Sequence, residues 1–303
     1  ALLGIALAPH VAGIYGGLFC LGLAAGIYLP SGIADITDRV PERHWGKALA
    51  IHELAPNSAF LLAPLLVEAV LGFFSWRTGL ILLALTGLGM AVLFRWRGQG
   101  ADYCGEMPDR RVMLAIASRP GVWRMAFLFG IGISGTLGIY SMLPLFLVSD
   151  HGMAREWANS LLALSKVGAL AAAWFGGWAS DRFGPLTTIR TVLLLSGLLI
   201  MGLGGLRGPG LVATVFCQSI LAVCFFPAGF SLLSAISSRR NQNITIAVTI
   251  PVAFLIGGGG IPLFLGWMGD AGVFGYAFML IGAVTTLASV ATVGLNGLSR
   301  SRS

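Results

Sequence analysis

The chain has 303 residues, 56% hydrophobic and only 10% charged, with a formal net charge of +7 and a mean hydropathy of +0.87. Soluble domains carry roughly 25% charged residues, so a water-soluble globule is excluded, and apolar runs of the ~20 residues that cross a bilayer as helix recur along the whole length. The basic residues are scattered through short breaks, with no patch of interleaved aromatics, which excludes nucleic acid as partner and leaves the lipid bilayer.

Polar, proline-bearing and charged breaks divide the chain into a stub, 1–9, and nine predicted spans: about 11–34, 46–71, 76–96, 122–149, 157–180, 187–206, 209–237, 243–266 and 271–296. Alternate breaks hold most of the arginines, among them Arg39, Arg43, Arg95, Arg97, Arg182, Arg190, Arg239, Arg240, Arg300 and Arg302, whereas the other breaks hold Arg77, Arg155 and Arg207. By the positive-inside bias the arginine-rich side is cytoplasmic, as is the C-terminus, in a cytoplasmic (inner) membrane. Nine spans that end inside begin outside, and no signal peptide precedes Ala1, so at least one further helix is expected upstream, with the stub as its outer end.

The first span carries Gly22 and Gly26 at the spacing that lets helices approach closely. In the second, Glu53, Asn57, Phe60, Pro64 and Glu68 step by four, three, four and four and share one helical face. His52-Glu53 opens like the zinc-protease pattern H-E-x-x-H, but Pro56 stands where the second histidine belongs. Of the cysteines, Cys20, Cys217 and Cys224 lie in apolar segments and Cys104 in a polar break, without metal-ligand spacing; no phosphate-binding G-x-x-x-x-G-K-[ST] occurs. No metal or cofactor is expected. A polar break at 97–121, with Asp102, Glu106 and Asp109, separates three spans from six. Tyr140 lies in the fourth span and Lys166 near the middle of the fifth. An ammonium at that depth costs on the order of 3 kcal/mol on insertion scales, so Lys166 is expected to face a partner or a watery cavity. Pro144, Pro227, Pro251, Pro262 and the run Gly257 to Gly260 mark expected bends.

The fifth span ends on Gly177-Trp178-Ala179-Ser180-Asp181-Arg182-Phe183-Gly184, which matches the G-x-x-x-D-R/K-x-G signature of the major facilitator superfamily. Six spans after a basic linker, with that motif behind the second of them, resemble the C-terminal half of such a transporter. The resemblance implies an all-α, polytopic, two-bundle fold lacking its first helices: 1–96 as the end of helix 3 and helices 4–6, 97–121 as a cytoplasmic linker, and 122–303 as helices 7–12. Gly177, Asp181, Arg182 and Gly184 are then gating residues, the loop acting as a cytoplasmic latch of the outward-open state. A carboxylate at Asp181 also suits the positive end of a neighbouring helix. The chain departs from the family after Gly184, where Pro185-Leu186 replace the usual basic residues. Leu18 and Phe19 stand where an arginine is frequent, and Leu61-Leu62-Ala63-Pro64 lacks the glycines of drug/proton antiporters.

The family's fold places the second and fifth spans side by side, so Lys166 is expected to face a central cavity, with Asn57 at similar depth and Glu53 one turn nearer the cytoplasm. Lys166 would bind a small-molecule anion and Glu53 would carry a coupling proton; a permanent Lys166–Glu53 bridge is the structural alternative. Gln218 and Tyr140 lie on helices that line the cavity in the family, though each could equally hydrogen-bond a neighbouring helix, while Tyr28 and Trp174 read as packing or interface aromatics. The expected function is a secondary transporter, not an enzyme, moving a small solute, an organic anion, by alternating access with proton coupling. The alternatives are a proton-coupled exporter of lipophilic compounds and, more distantly, an integral-membrane enzyme using Asp35, Asp38, Glu42, His44 and His52.

Overall fold

The computed structural model describes residues 1–98, 109–238 and 240–292, without the side chains of Pro64, Leu65, Val67, Glu68 and Ala291. The linker residues Asp102, Cys104 and Glu106, the basic residues Arg239, Arg300 and Arg302, and the side chain of Glu68 lie outside the described residues. Among the described residues the chain is helical and has no strand. After α1 (Leu2–Leu7), the long helices are α2 (Val11–Arg39), α3 (Trp45–Leu71) and α4 (Trp76–Arg97). A short amphipathic α5 (Arg110–Ala117) then precedes α6 (Pro120–Ser149), α7 (Arg155–Phe183) and α8 (Pro185–Gly205). The chain closes with α9 (Gly208–Ile236), α10 (Gln242–Asp270) and α11 (Phe274–Ala291). Seven of these helices are long and apolar enough to cross a membrane, and α3 and α11 run among them.

Local chemistry sets the ends. Proline, whose missing N–H costs nothing in a first turn, opens α6 at Pro120 and α8 at Pro185. Ser75 caps α4 by accepting the Thr78 N–H. Between α7 and α8, Gly184 adopts φ 87° and ψ 147°, a conformation open in practice to glycine alone. The helix expected at 11–34 runs on to Arg39: Ile33, Ala34 and Thr37 are buried in its last turns, and Arg39 pairs with Asp35 at 2.8 Å.

Two apolar cores stack along the bundle. One, nearer the arginine-rich ends, joins Phe129, Phe225, Phe230, Ile33 and Leu49; the other, at the opposite end, joins Phe146, Phe278, Leu143, Ile200 and Leu211. Along α6, Ser134–Gly138, which follow Phe129 and precede Leu143, form a π-type stretch. A second π-type stretch, Leu255–Gly260 in α10, packs against the first. There a β-carbon on Gly138 would collide with the Gly257 carbonyl oxygen, and one on Gly257 would lie 2.7 Å from the Ser134 nitrogen. The bend expected from the glycine run is therefore a paired bulge, whose α6 half, with Gly135 and Gly138, lies outside the expected bends. In α9 the helix breaks at Cys224, three residues before Pro227, which cannot bond back to the Val223 carbonyl.

Candidate functional site

A cavity of about 490 Å³ lies between α2 and α3 on one side and α6, α7, α9 and α10 on the other. Phe129, Phe226, Phe230 and Phe254 give it aromatic walls, while Tyr28, His52, Glu53, Asn57, Thr136 and Lys166 bring polar atoms to it. Three of the expected site residues, Lys166, Glu53 and Asn57, thus line the same cavity.

Lys166 stands at mid-length in α7. Its Nζ lies 3.5 Å from the centroid of the Tyr140 ring, and it joins no ion pair among the described residues. Two hydrogen bonds fix the Tyr140 ring beneath the ammonium, its hydroxyl donating to the Val215 carbonyl at 3.2 Å and sitting 3.1 Å from Ser165 Oγ. A cation over an aromatic face gains about 0.5–2 kcal/mol, which does not cancel an insertion cost on the order of 3 kcal/mol. The ammonium therefore remains an attractor for a negative group.

Glu53 is 7% exposed. The alternative reading, a permanent bridge to Lys166, has no counterpart among the described ion pairs; Glu53 Oε1 lies 3.4 Å from His52 Nδ1. His52 Nε2 lies 3.2 Å from the Tyr28 hydroxyl, and the two rings stack at 5.9 Å with an interplanar angle of 18°. Asn57 Nδ2 donates to the Glu53 main-chain carbonyl at 2.7 Å, one turn back along α3, so its side-chain oxygen is left for the cavity. His52, weighed in the sequence only for a zinc-protease pattern and a membrane-enzyme alternative, and Tyr28, read as a packing or interface aromatic, both line the cavity and become functional candidates. Their signal was present, a histidine beside a buried glutamate and a tyrosine in the facing span, but only the α2–α3 pairing shows that they meet. Trp174 is 45% exposed and lies outside the cavity lining.

Gln218 does not line this cavity. It is fully buried, and its Nε2 donates at 2.8 Å to the Gly135 carbonyl, inside the π-type stretch of α6. There it serves an acceptor within the bulge. Gln218→Leu is expected to strand that carbonyl at a cost of about 1–3 kcal/mol, lowering the apparent Tm with little change in ligand affinity; paired thermal-unfolding and binding measurements check both.

The motif residues occupy the arginine-rich end. Asp181 Oδ1 accepts the Gly46 N–H at 2.7 Å and Oδ2 accepts the Lys47 N–H at 3.1 Å, so the carboxylate of α7 caps the first turn of α3. Those amides have no partner within their own helix and carry its positive dipole end. The crossing is close enough that a β-carbon on Gly177 would lie 2.6 Å from Ala50 Cβ. Arg182 is exposed and makes no ion pair among the described residues, while Gly184 forms the turn. A second tie lies alongside: Gln242 Nε2 on α10 donates at 2.7 Å both to Thr37 Oγ1 on α2 and to Ser234 Oγ on α9. Trp45 Nε1 donates to the Thr37 and Val40 carbonyls at 3.1 and 2.9 Å. The Asp181 and Gln242 bonds tie the two helix groups together below the cavity, and the Trp45 bonds fix the α2–α3 corner that receives them.

Against known proteins, residues 1–210 match the family model of the Major Facilitator Superfamily. The probable nitrate/nitrite transporter NarK2 of Mycobacterium tuberculosis is 29% identical over 154 residues, which are 50% of this chain and 39% of that protein. The membrane sensor protein UhpC of Salmonella typhimurium is 21% identical over 210 residues, 60% of this chain and 45% of that protein. The chain thus spans less than half the length of these curated relatives. Among solved structures, the Escherichia coli fucose:proton symporter FucP superposes with a TM-score of 0.65 at 17% identity, over 92% of this chain and 75% of that one. A bacterial homologue of the iron transporter ferroportin, outward-facing, gives 0.68 at 14% identity over 90% and 69%.

Proposed function

The chain belongs to the major facilitator superfamily, and on that footing we propose that it is part of a secondary transporter that moves a small anion across the cytoplasmic membrane by alternating access, coupled to protons. The observation that carries the reading is Lys166, a mid-span ammonium on the cavity wall with no carboxylate paired to it among the described residues. In a medium of low dielectric such a charge recruits an anion. Asn57 and Thr136 add neutral polar groups, and Glu53 is the acidic group available for a coupling proton. The arginine-rich ends face the cytoplasm under the positive-inside bias. Residues 1–96 and 122–303 form the two rocking groups, with Gly177, Asp181, Arg182 and Gly184 at the latch that closes the cytoplasmic side.

Organic anions such as carboxylates and phosphate esters are the first candidates for cargo. A compact inorganic oxyanion stands beside them, because the 29% identical relative is a probable nitrate/nitrite transporter. An exporter of lipophilic cations is disfavoured by the same ammonium. Reconstituted vesicles with an imposed proton gradient test the reading: radiolabelled carboxylate, phosphate ester or nitrate is expected to accumulate with the gradient. Movement of lipophilic cations with no movement of anions would reverse it.

A further inference from the structure

We propose that His52 and Glu53 together form the proton-binding site of this cavity, with Tyr28 as its switchable partner, and that the site takes up one proton for each monovalent anion bound at Lys166. The inference rests on the anion reading above. Its geometry is independent of it: the Tyr28 hydroxyl is hydrogen-bonded to His52 Nε2 at 3.2 Å, Glu53 Oε1 stands 3.4 Å from His52 Nδ1, near enough to pair with a protonated ring though not hydrogen-bonded to it, and all three line the cavity that Lys166 lines. The side chains of His52 and Glu53 are each 9% exposed.

The imidazole offers one nitrogen to each neighbour. With Nδ1–H towards the Glu53 carboxylate, Nε2 accepts from the Tyr28 hydroxyl. When a second proton arrives at Nε2, the Tyr28 oxygen turns to accept, since a phenol both donates and accepts. The proton enters from solvent through the cavity and leaves the same way, so no other reactant is needed. Tyr28 on α2 and His52 on α3 lie on different helices, and a change in their spacing would break their hydrogen bond.

Charge balance supplies the linkage. Among the described residues the groups that face the pair are few: Tyr28 comes from α2 and Lys166 from α7, and the α9 half-helix Phe225–Ile236 has no charged residue. Asp35, Asp38 and Arg39 lie at the end of α2, Glu42, Arg43, His44 and Lys47 at the start of α3, Arg77, Arg95 and Arg97 at the ends of α4, and Asp181 caps α3. Empty and with neutral His52, the cavity holds Glu53⁻ and Lys166⁺ and is neutral. A bound monovalent anion makes it −1, and one proton on the pair restores neutrality. In a poorly hydrated site the uncompensated state is strongly disfavoured, so anion and proton bind together.

The test is calorimetric titration of the detergent-solubilised protein with nitrate and with acetate, in two buffers of different ionisation enthalpy across a pH series. Wild type is expected to take up about one proton per anion, with affinity falling about tenfold per pH unit on the alkaline side. Glu53→Gln removes the negative charge: anion binding should lose its proton linkage and become tighter than wild type at alkaline pH. His52→Gln leaves Glu53 to hold the proton alone, so near neutral pH the linkage should be lost and affinity should fall at least about tenfold. Tyr28→Phe keeps the ring stack and should weaken the linkage without removing the anion site. Anion binding by wild type without proton uptake overturns the proposal, as does full linkage in both His52→Gln and Glu53→Gln. No anion binding by wild type overturns the anion reading and this one with it.

Discussion

Asp181→Ala is expected to unlatch the arginine-rich end. The carboxylate accepts two backbone N–H groups at the start of α3, and truncation leaves the Gly46 and Lys47 amides without those acceptors, with the α3 dipole uncompensated at that end. Hydrogen bonds to charged groups contribute about 1.5–3 kcal/mol net, so the loss is about 2–3 kcal/mol, a shift of about 30- to 150-fold between closed and open states. Ser180 gives the readout. It is buried at 2% exposure beside Asp181, and its hydroxyl has no hydrogen-bond partner among the described residues, so Ser180→Cys breaks no described hydrogen bond. In the otherwise native protein this thiol should be protected from a hydrophilic maleimide, and with Asp181→Ala it should react at least about tenfold faster. Asp181→Asn keeps one acceptor oxygen and should fall between. A thiol that stays protected in Asp181→Ala would leave the capping bonds without a part in closure.

Lys166→Gln is expected to separate stability from function. If the ammonium were a structural strut, removing it would lower the melting temperature. Here its insertion cost, on the order of 3 kcal/mol, exceeds the cation–π gain of about 0.5–2 kcal/mol, so the ligand-free variant should melt at or above the wild-type temperature. Anion transport should fall more than a hundredfold, since deleting one partner of a desolvated charge pair costs about 3–5 kcal/mol. Lys166→Arg keeps the charge but brings a planar fork that does not sit over Tyr140 as a point charge does, and partial transport is expected. Thermal unfolding without ligand, set beside vesicle uptake, checks both halves; a lower melting temperature with normal transport would make Lys166 structural.

Most of the fold was legible because the bilayer forces it. Backbone polar groups must be satisfied within each segment, so spans of the right length become helices, and the polar breaks at Arg43, Gly152, Gly184 and Arg207 mark where they turn. The α2 end was misplaced because its last turns are half polar and are held by burial of Thr37 against Gln242, a contact between residues 205 positions apart. The π-type stretch at Ser134–Gly138 was not legible either: it depends on the facing glycines of α10. Lys166 and Glu53 stood out as charges in apolar spans. Tyr140 was a candidate from its helix alone, but that its ring lies under Lys166, and that Tyr28 meets His52, follow only from helix pairing. Gln218 could be placed from its helix either towards the cavity or against a neighbouring helix, and only the packing shows that it donates to the bulge in α6.

The most direct measurement is a thermal-shift series on the detergent-solubilised protein, comparing carboxylates, phosphate esters and nitrate with lipophilic cations, on wild type and Lys166→Gln. A ligand that binds the folded state raises the melting temperature with its concentration. At least one anion is expected to stabilise wild type and to have no effect on Lys166→Gln, while the cations stabilise neither. Stabilisation by cations, or by the same anion equally in both proteins, would contradict an anion site at Lys166.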